Sequence, residues 1–180
     1  MWGSGAQLLC LCVAFWVAVM MYRGRAPLRF VAGLVLGALF AHLGWALLRV
    51  DVIAARPSLL LDPGTGYCVL FVPLGMFLAA PWREGWVDVE AFLAGALATL
   101  PLALATARLG CLLLGCCDGA GTGRVWPSRH PVALYDMTGL TLLHLVLSRA
   151  PQPFVPPAFC VGFGGLRLLL EPLRTVSQSG

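Results

Sequence analysis

Residues 91–114 read AFLAGALATLPLALATARLGCLLL, and the only charged residue in this stretch is Arg108. An α-helix needs about 20 predominantly apolar residues to cross the hydrocarbon of a bilayer. The stretch is long enough for one crossing and contains no second charge. It therefore predicts a transmembrane helix with one arginine near its far end.

Five further apolar stretches are separated by turns rich in Pro, Gly or charge. They cover about residues 7–22, 30–50, 67–80, 132–148 and 158–173. The whole chain is 59% hydrophobic and 11% charged, with a mean hydropathy of +0.87, whereas a soluble domain carries roughly 25% charged residues. These patterns predict an all-α protein, a polytopic transmembrane helical bundle of about six spans that forms a single domain over residues 1–180.

Three glycines recur along the second predicted span, at Gly33, Gly37 and Gly44. Small residues let helix backbones approach each other closely in a membrane. We therefore expect this span to pack closely against a neighbouring helix.

Basic residues follow the first predicted span and do not precede it. Arg23, Arg25 and Arg29 come after residues 7–22, and arginine-rich loops favour the cytoplasmic side. A cleaved signal peptide has the opposite order of charge, so we expect a retained first helix with its N-terminus outside. An even number of spans then places both termini, and the ends of the helices that carry Arg108 and Arg167, on the external side.

Charge and cysteine spacing argue against nucleic-acid binding and metal binding. The net charge is +4 and no run of five or more basic residues occurs. The seven cysteines do not form the two CxxC pairs typical of zinc sites. We expect no nucleic-acid partner, no metal and no cofactor.

The cysteines Cys111, Cys116 and Cys117 lie close together in sequence, near the end of a predicted helix. Neighbouring thiols that are exposed and low in pKa can exchange disulfides, and Arg108 would help to lower their pKa. A membrane thiol-redox protein is therefore one alternative. The absence of a CxxC pair argues against it.

Arg108 and Arg167 are ionisable residues within predicted spans, and Glu171 lies one turn after Arg167. Such groups are costly in a membrane unless paired or hydrated, so they indicate a functional site by default. The structural alternatives are snorkelling to the interface, or a pair between Arg167 and Glu171. Two arginines at the external ends of two helices could instead hold a phospholipid phosphate. We expect Glu171 to neutralise Arg167 and to leave Arg108, whose nearest acidic residue in sequence is Asp118, available to that phosphate.

The sequence RHPVALYD, residues 129–136, opens the fifth predicted span. Pro131 suits the first turn of a helix, and this places His130 at the positive end of the helix dipole, where an anion is favoured. Tyr135 would point its phenol into the bundle or toward the interface. A histidine that only caps the helix and an interfacial tyrosine are the structural alternatives.

Three motifs, in order and correctly spaced, resemble the prolipoprotein diacylglyceryl transferase family of bacteria. The family signature Gly-Arg-x-Gly-Asn-Phe-x-Asn-x-Glu-x-x-Gly is matched by Arg108, Gly110 and Gly119, with Ala107 in place of its first glycine. Its His-Pro-x-x-Leu-Tyr-Glu motif is matched by His130, Pro131, Leu134, Tyr135 and Asp136, after Trp126. Its Tyr-Gly-x-x-Arg-Phe-x-x-Glu-x-x-Arg motif is matched by Gly164, Arg167, Glu171 and Arg174.

The chain also departs from the family pattern. Cys111, Leu114 and Cys116 replace the two asparagines and the glutamate of the signature. His42 occupies the place of an early arginine, and the family's His-Gly-Gly sequence has no counterpart. The residues expected to grip phosphate are thus retained, while those expected to activate the acceptor are altered.

The resemblance implies a multi-pass enzyme of the bacterial inner membrane with an externally facing site. It would transfer a diacylglyceryl group from phosphatidylglycerol to the thiol of a lipobox cysteine and release glycerol phosphate. Its partners would be the phospholipid, an acceptor peptide or small thiol, and membrane lipids. The motifs imply that Arg108 and Arg167 are catalytic and stabilise the leaving phosphate. The reaction also needs a base for the acceptor thiol, and we take His130 as the candidate, with Tyr135 as the second catalytic residue that orients it. The expected substrate-binding residues are His42, Gly110, Gly119, Glu171 and Arg174. Two alternatives remain beside the thiol-redox protein, namely lipid transfer to a different small acceptor and a relative that binds lipid without catalysis.

Overall fold

All regular structure in the described part of the computed structural model is helical. The structure describes residues 3–22, 24, 26–61, 71–114 and 131–173. Its α-helices are α1 (Gly3–Met21), α2 (Pro27–Leu48), α3 (Val50–Ala55), α4 (Val72–Ala79), α5 (Trp86–Leu114), α6 (Val132–Leu147) and α7 (Val155–Leu170). Short 3₁₀ turns are formed by Pro57–Leu61, Gln152–Phe154 and Glu171–Leu173. The predicted all-α class is confirmed.

Several of the described helices have the apolar composition of membrane spans, and three of them also have the length. Among the described residues, Pro27–Leu48, Trp86–Gly110 and Gln152–Leu173 are long and apolar enough to cross a bilayer, and Leu11–Met21 and Val132–Leu147 are apolar but shorter. Large apolar side chains such as Val161 and Leu168 on α7 are exposed, as expected for a surface solvated by lipid. A helical membrane bundle is therefore confirmed, and the number of about six spans stays a prediction.

Four of the described helices begin earlier than the hydropathy pattern predicts. α1 starts at Gly3 rather than at residue 7, and α2 starts at Pro27 rather than at residue 30. α5 starts at Trp86 rather than at residue 91. Gly85, with φ of 120°, ends the preceding turn, and Asp88 lies in the first helical turn, where a carboxylate interacts favourably with the helix dipole. α7 starts at Val155 rather than at residue 158, because prolines are tolerated in the first turn of a helix.

The described chain divides into two compact units, Tyr22–Ala96 and a second unit of Met1–Met21 with Leu97–Gly180. In the unit Tyr22–Ala96, α2 and α4 approach until their backbones touch. A methyl group on Gly75 would overlap the backbone of Gly37 and lie 2.7 Å from the carbonyl oxygen of Gly33. The expected close packing at the glycines of the second span is confirmed.

The second unit contains the end of α5 together with α6 and α7. α6 and α7 meet at small residues, since a methyl group on Gly139 would collide with Leu166 and one on Gly162 with Leu143. This close approach brings the side chains near the start of α6 next to those near the end of α7.

Pro101 lies inside α5. Because proline has no backbone N–H, it removes one hydrogen bond of the helix and disturbs the carbonyl groups one turn earlier. The Nδ1 atom of His144 on α6 lies 2.7 Å from the carbonyl oxygen of Ala98. A carbonyl oxygen only accepts, so His144 donates through Nδ1 and ties α6 to α5 at the interrupted turn.

Candidate functional site

Arg108 lies in the last two turns of α5 and makes an ion pair with α6. Its Nε atom is 2.9 Å from the Oδ2 atom of Asp136, and its side chain is 18% exposed. The distance is typical of a charge-assisted hydrogen bond, which is stronger than a bond between neutral groups. The arginine that the sequence places inside a membrane span is therefore stabilised by a carboxylate from the neighbouring helix.

Arg167 reaches the same carboxylate oxygen from the last turn of α7. Its Nη1 atom is 3.4 Å from Oδ2 of Asp136, and its side chain is 16% exposed. Phe163, one turn earlier and buried, has its ring centre 5.3 Å from the Cζ atom of Arg167. A guanidinium group over an aromatic face is attracted by the ring, so Arg167 is held both by the carboxylate and by the ring.

Asp136 occupies the centre of this cluster and is almost fully buried, with 1% of its side chain exposed. It belongs to the buried face of α6, together with Ala133 and Leu140, which lie three residues before it and four residues after it. A carboxylate in such a place is strongly disfavoured unless it is paired and hydrogen-bonded. Arg108 and Arg167 both pair with its Oδ2 atom, and the carboxylate offsets the repulsion between the two guanidinium groups.

The sequence prediction missed the importance of Asp136, although the signal was present. Asp136 is the only acidic residue in residues 132–148, and an ionisable residue within a membrane span indicates a functional site by default. It was matched to a family motif but not included among the site residues. The rule that identified Arg108 and Arg167 identifies Asp136 equally.

The structure gives both arginines an acidic partner that the sequence analysis did not name. Arg167 pairs with Asp136 on another helix, while Glu171 is exposed at the end of α7. Arg108 was expected to lack a fixed acidic partner, and it pairs with Asp136. Asp136 was missed as a partner because partners were sought along the chain, whereas Asp136 lies on a packed neighbouring helix.

The other predicted site residues that the structure describes lie in different surroundings. Tyr135 precedes Asp136 on α6 and is 37% exposed, since adjacent residues of a helix point in different directions. Gly110 is buried in α5, half a turn after Arg108. His42 belongs to the unit Tyr22–Ala96, where its Nε2 atom lies 3.0 Å from the carbonyl oxygen of Leu60.

Several predicted residues lie outside the described part of the chain. These are His130, Gly119 and Arg174, together with Cys116 and Cys117 of the cysteine group. Cys111 lies within α5, but its side chain is not described. The roles expected for these residues stay predictions.

The described site has the chemistry of an anion-binding centre. Two guanidinium groups and one carboxylate leave one excess positive charge among these three side chains. Arginine presents planar pairs of N–H donors that match phosphate oxygens. Burial in a medium of low dielectric constant strengthens the attraction of such a cluster for an anion.

Comparison with known proteins agrees with the motifs and the membrane helices. The family described as prolipoprotein diacylglyceryl transferase matches residues 8–179 of the chain. No curated protein matches the chain. The family match covers nearly the whole sequence and includes all three residues of the charged cluster. The protein therefore belongs to the prolipoprotein diacylglyceryl transferase family, whose members are membrane enzymes that transfer a diacylglyceryl group to prolipoproteins.

Proposed function

We propose that this protein transfers the diacylglyceryl group of phosphatidylglycerol to the thiol of a prolipoprotein cysteine and releases glycerol phosphate. The observation that carries the proposal is the meeting of Arg108 and Arg167, from two helices, at one buried carboxylate oxygen. Two guanidinium groups so close together form a binding site for the phosphate of a lipid headgroup. The motifs around both arginines resemble those of the family.

The reaction creates negative charge on the phosphate. The acceptor sulfur forms a bond to the glyceryl carbon, the bond from that carbon to the phosphate oxygen breaks, and the electron pair stays on the departing phosphate. Arg108 and Arg167 would stabilise this charge as it develops. Groups that are already oriented toward a developing charge lower the barrier without reorganising during the reaction.

The acceptor thiol must lose its proton, since the thiolate is the nucleophile. An unperturbed cysteine has a pKa of about 8.5, so a base at the site would increase the reactive fraction at neutral pH. We assign this role to His130, with Tyr135 as a hydrogen-bonding partner. His42, Gly110, Gly119, Glu171 and Arg174 are assigned to substrate binding by their positions in the family motifs.

Replacement of Arg108 by Lys tests the proposal. Lysine keeps the positive charge and loses the planar pair of donors, so we expect turnover to fall by about 100-fold, the usual effect of losing one such donor. Arg149→Lys is the matched control, because Arg149 is exposed and donates to the carbonyl oxygen of Leu145 at the end of α6. Full activity of Arg108→Lys would show that Arg108 is a structural anchor.

The donor and the acceptor are tested together by lipid mass spectrometry. The purified protein is incubated with phosphatidylglycerol or phosphatidylethanolamine, and with either a lipobox peptide or a small thiol. We expect glycerol phosphate and a diacylglyceryl thioether on the peptide, with phosphatidylglycerol only. Glycerol phosphate without a peptide adduct would favour the small acceptor, and no product in any combination would refute the transferase proposal.

A further inference from the structure

We infer that Asp136 is a positioning residue that holds Arg108 and Arg167 at the spacing required by the phosphate of the donor lipid. The inference rests on the proposed function, because it assigns the two arginines to that phosphate. Asp136 itself is not expected to touch the reacting atoms.

The first argument is geometric. One oxygen atom, Oδ2, lies 2.9 Å from Nε of Arg108 and 3.4 Å from Nη1 of Arg167. Arginine side chains are long and have many rotamers, so two unrestrained arginines would spread over many relative positions. A shared oxygen fixes both groups relative to one point on α6. The shared Oδ2 atom of Asp136 thus constrains the spacing of the two guanidinium groups.

The second argument is that Asp136 is itself held rigidly. Its side chain is short and 1% exposed, and it lies on the buried face of α6 with Ala133 and Leu140. On the far side of the cluster, the ring of Phe163 supports Arg167. A site is most precise when its functional groups are fixed by packed neighbours on regular structure, and Asp136 satisfies that condition.

The third argument concerns charge. Two guanidinium groups repel each other strongly in a medium of low dielectric constant, and the carboxylate between them offsets that repulsion. The donor phosphate carries one negative charge before the reaction, which matches the single excess positive charge of the three side chains. Asparagine at position 136 would raise this excess to two. Binding of the anionic lipid should then be retained or strengthened, while the arginines lose their fixed spacing.

These arguments predict opposite effects of Asp136→Asn on turnover and on lipid binding. A displacement of catalytic groups by about 1 Å can lower a rate by roughly 100-fold, and we expect a fall in kcat of about that size. The KM for phosphatidylglycerol should stay the same or decrease. A purely structural role would instead lower the fraction of folded enzyme and leave both constants of the folded fraction unchanged.

The experiment uses the full chain in lipid nanodiscs that contain phosphatidylglycerol. Release of glycerol phosphate gives kcat and KM, and native mass spectrometry measures retained phosphatidylglycerol. Asp88→Asn is the matched control, since Asp88 is exposed at the start of α5. Asp136→Glu keeps the charge and moves the carboxylate by one methylene, and we expect its kcat to lie between those of Asp136→Asn and the wild type, with an unchanged KM.

Wild-type kcat in a folded Asp136→Asn protein would overturn the inference, as would a rise in KM that accounts for the lost efficiency. If the asparagine variant does not fold, Asp136→Glu decides, because the family motif carries glutamate here and a folded protein is expected. A wild-type kcat in Asp136→Glu would then refute positioning. An inactive wild type that retains no phosphatidylglycerol would contradict the proposed function itself, which is a different result from an active asparagine variant.

Discussion

The contact between α2 and α4 makes Gly75→Ala a severe substitution. The added methyl group would overlap the backbone nitrogen and Cα of Gly37 and lie 2.7 Å from the carbonyl oxygen of Gly33. All three obstacles are backbone atoms, so no side chain can rotate away and the helices must separate. Overpacking of a close contact typically costs about 1–3 kcal/mol and occasionally more. Because only movement of a whole helix relieves this overlap, we expect a loss of roughly 3 kcal/mol.

Thermal unfolding of the purified protein in detergent measures this loss. For a chain of this size, 1 kcal/mol corresponds to a shift in Tm of about 2–4 °C, so Gly75→Ala should lower Tm by roughly 6–12 °C. Gly165→Ala on α7 is the matched control, since a methyl group there would meet no described atom within 4 Å. Alanine also has a higher helix propensity than glycine, by up to about 1 kcal/mol, so the control should keep or raise Tm.

The variant Gly33→Ala tests whether a clash with a side chain costs less stability than a clash with backbone atoms. A methyl group on Gly33 would lie 2.8 Å from the thioether sulfur of Met76 and 3.3 Å from both the Cβ atom of Ala79 and the Cα atom of Met76. The closest of these atoms belongs to a flexible methionine side chain that can adjust. We therefore expect Gly33→Ala to lower Tm by less than Gly75→Ala. Equal shifts for the two variants, or an unchanged Tm for Gly75→Ala, would refute the reasoning that backbone contact sets the cost.

Three further predictions concern the unit that carries the charged cluster. Phe163→Leu removes the ring beside Arg167, a contact worth about 0.5–2 kcal/mol, so turnover should fall by less than in the Arg108→Lys variant, and an equal loss in the two variants would contradict the supporting role of the ring. His144→Phe removes the hydrogen bond that the imidazole donates to the carbonyl of Ala98 and should lower the free energy of unfolding by about 1 kcal/mol, measured by thermal unfolding, whereas an unchanged Tm would show that this hydrogen bond is dispensable. In a variant whose seven native cysteines are replaced by serine, Arg149→Cys should react in intact cells with membrane-permeant maleimides only, because the end of α6 is predicted to face the cytoplasm. Labelling by an impermeant maleimide would show that the predicted topology is wrong.

The sequence by itself determined the class of fold and part of the site. Hydropathy depends on composition along the chain, so apolar stretches identify membrane helices without knowledge of their packing. The same property made Arg108 and Arg167 conspicuous, because a charge within an apolar stretch is visible in one dimension. The start of α6 was also predicted correctly, since Pro131 is a local signal for the beginning of a helix.

The tertiary structure alone decided which groups meet. Asp136 pairs with Arg108 and Arg167 because α5, α6 and α7 bring distant parts of the chain together, and the strength of an ion pair depends on that distance and on burial. The sequence does not indicate that Gly75 touches Gly37. It also does not show that His42, which was predicted to bind substrate, contacts the carbonyl of Leu60. The chemistry of each side chain can be read from the sequence, whereas a carboxylate shared by two arginines exists only after the three helices have packed together.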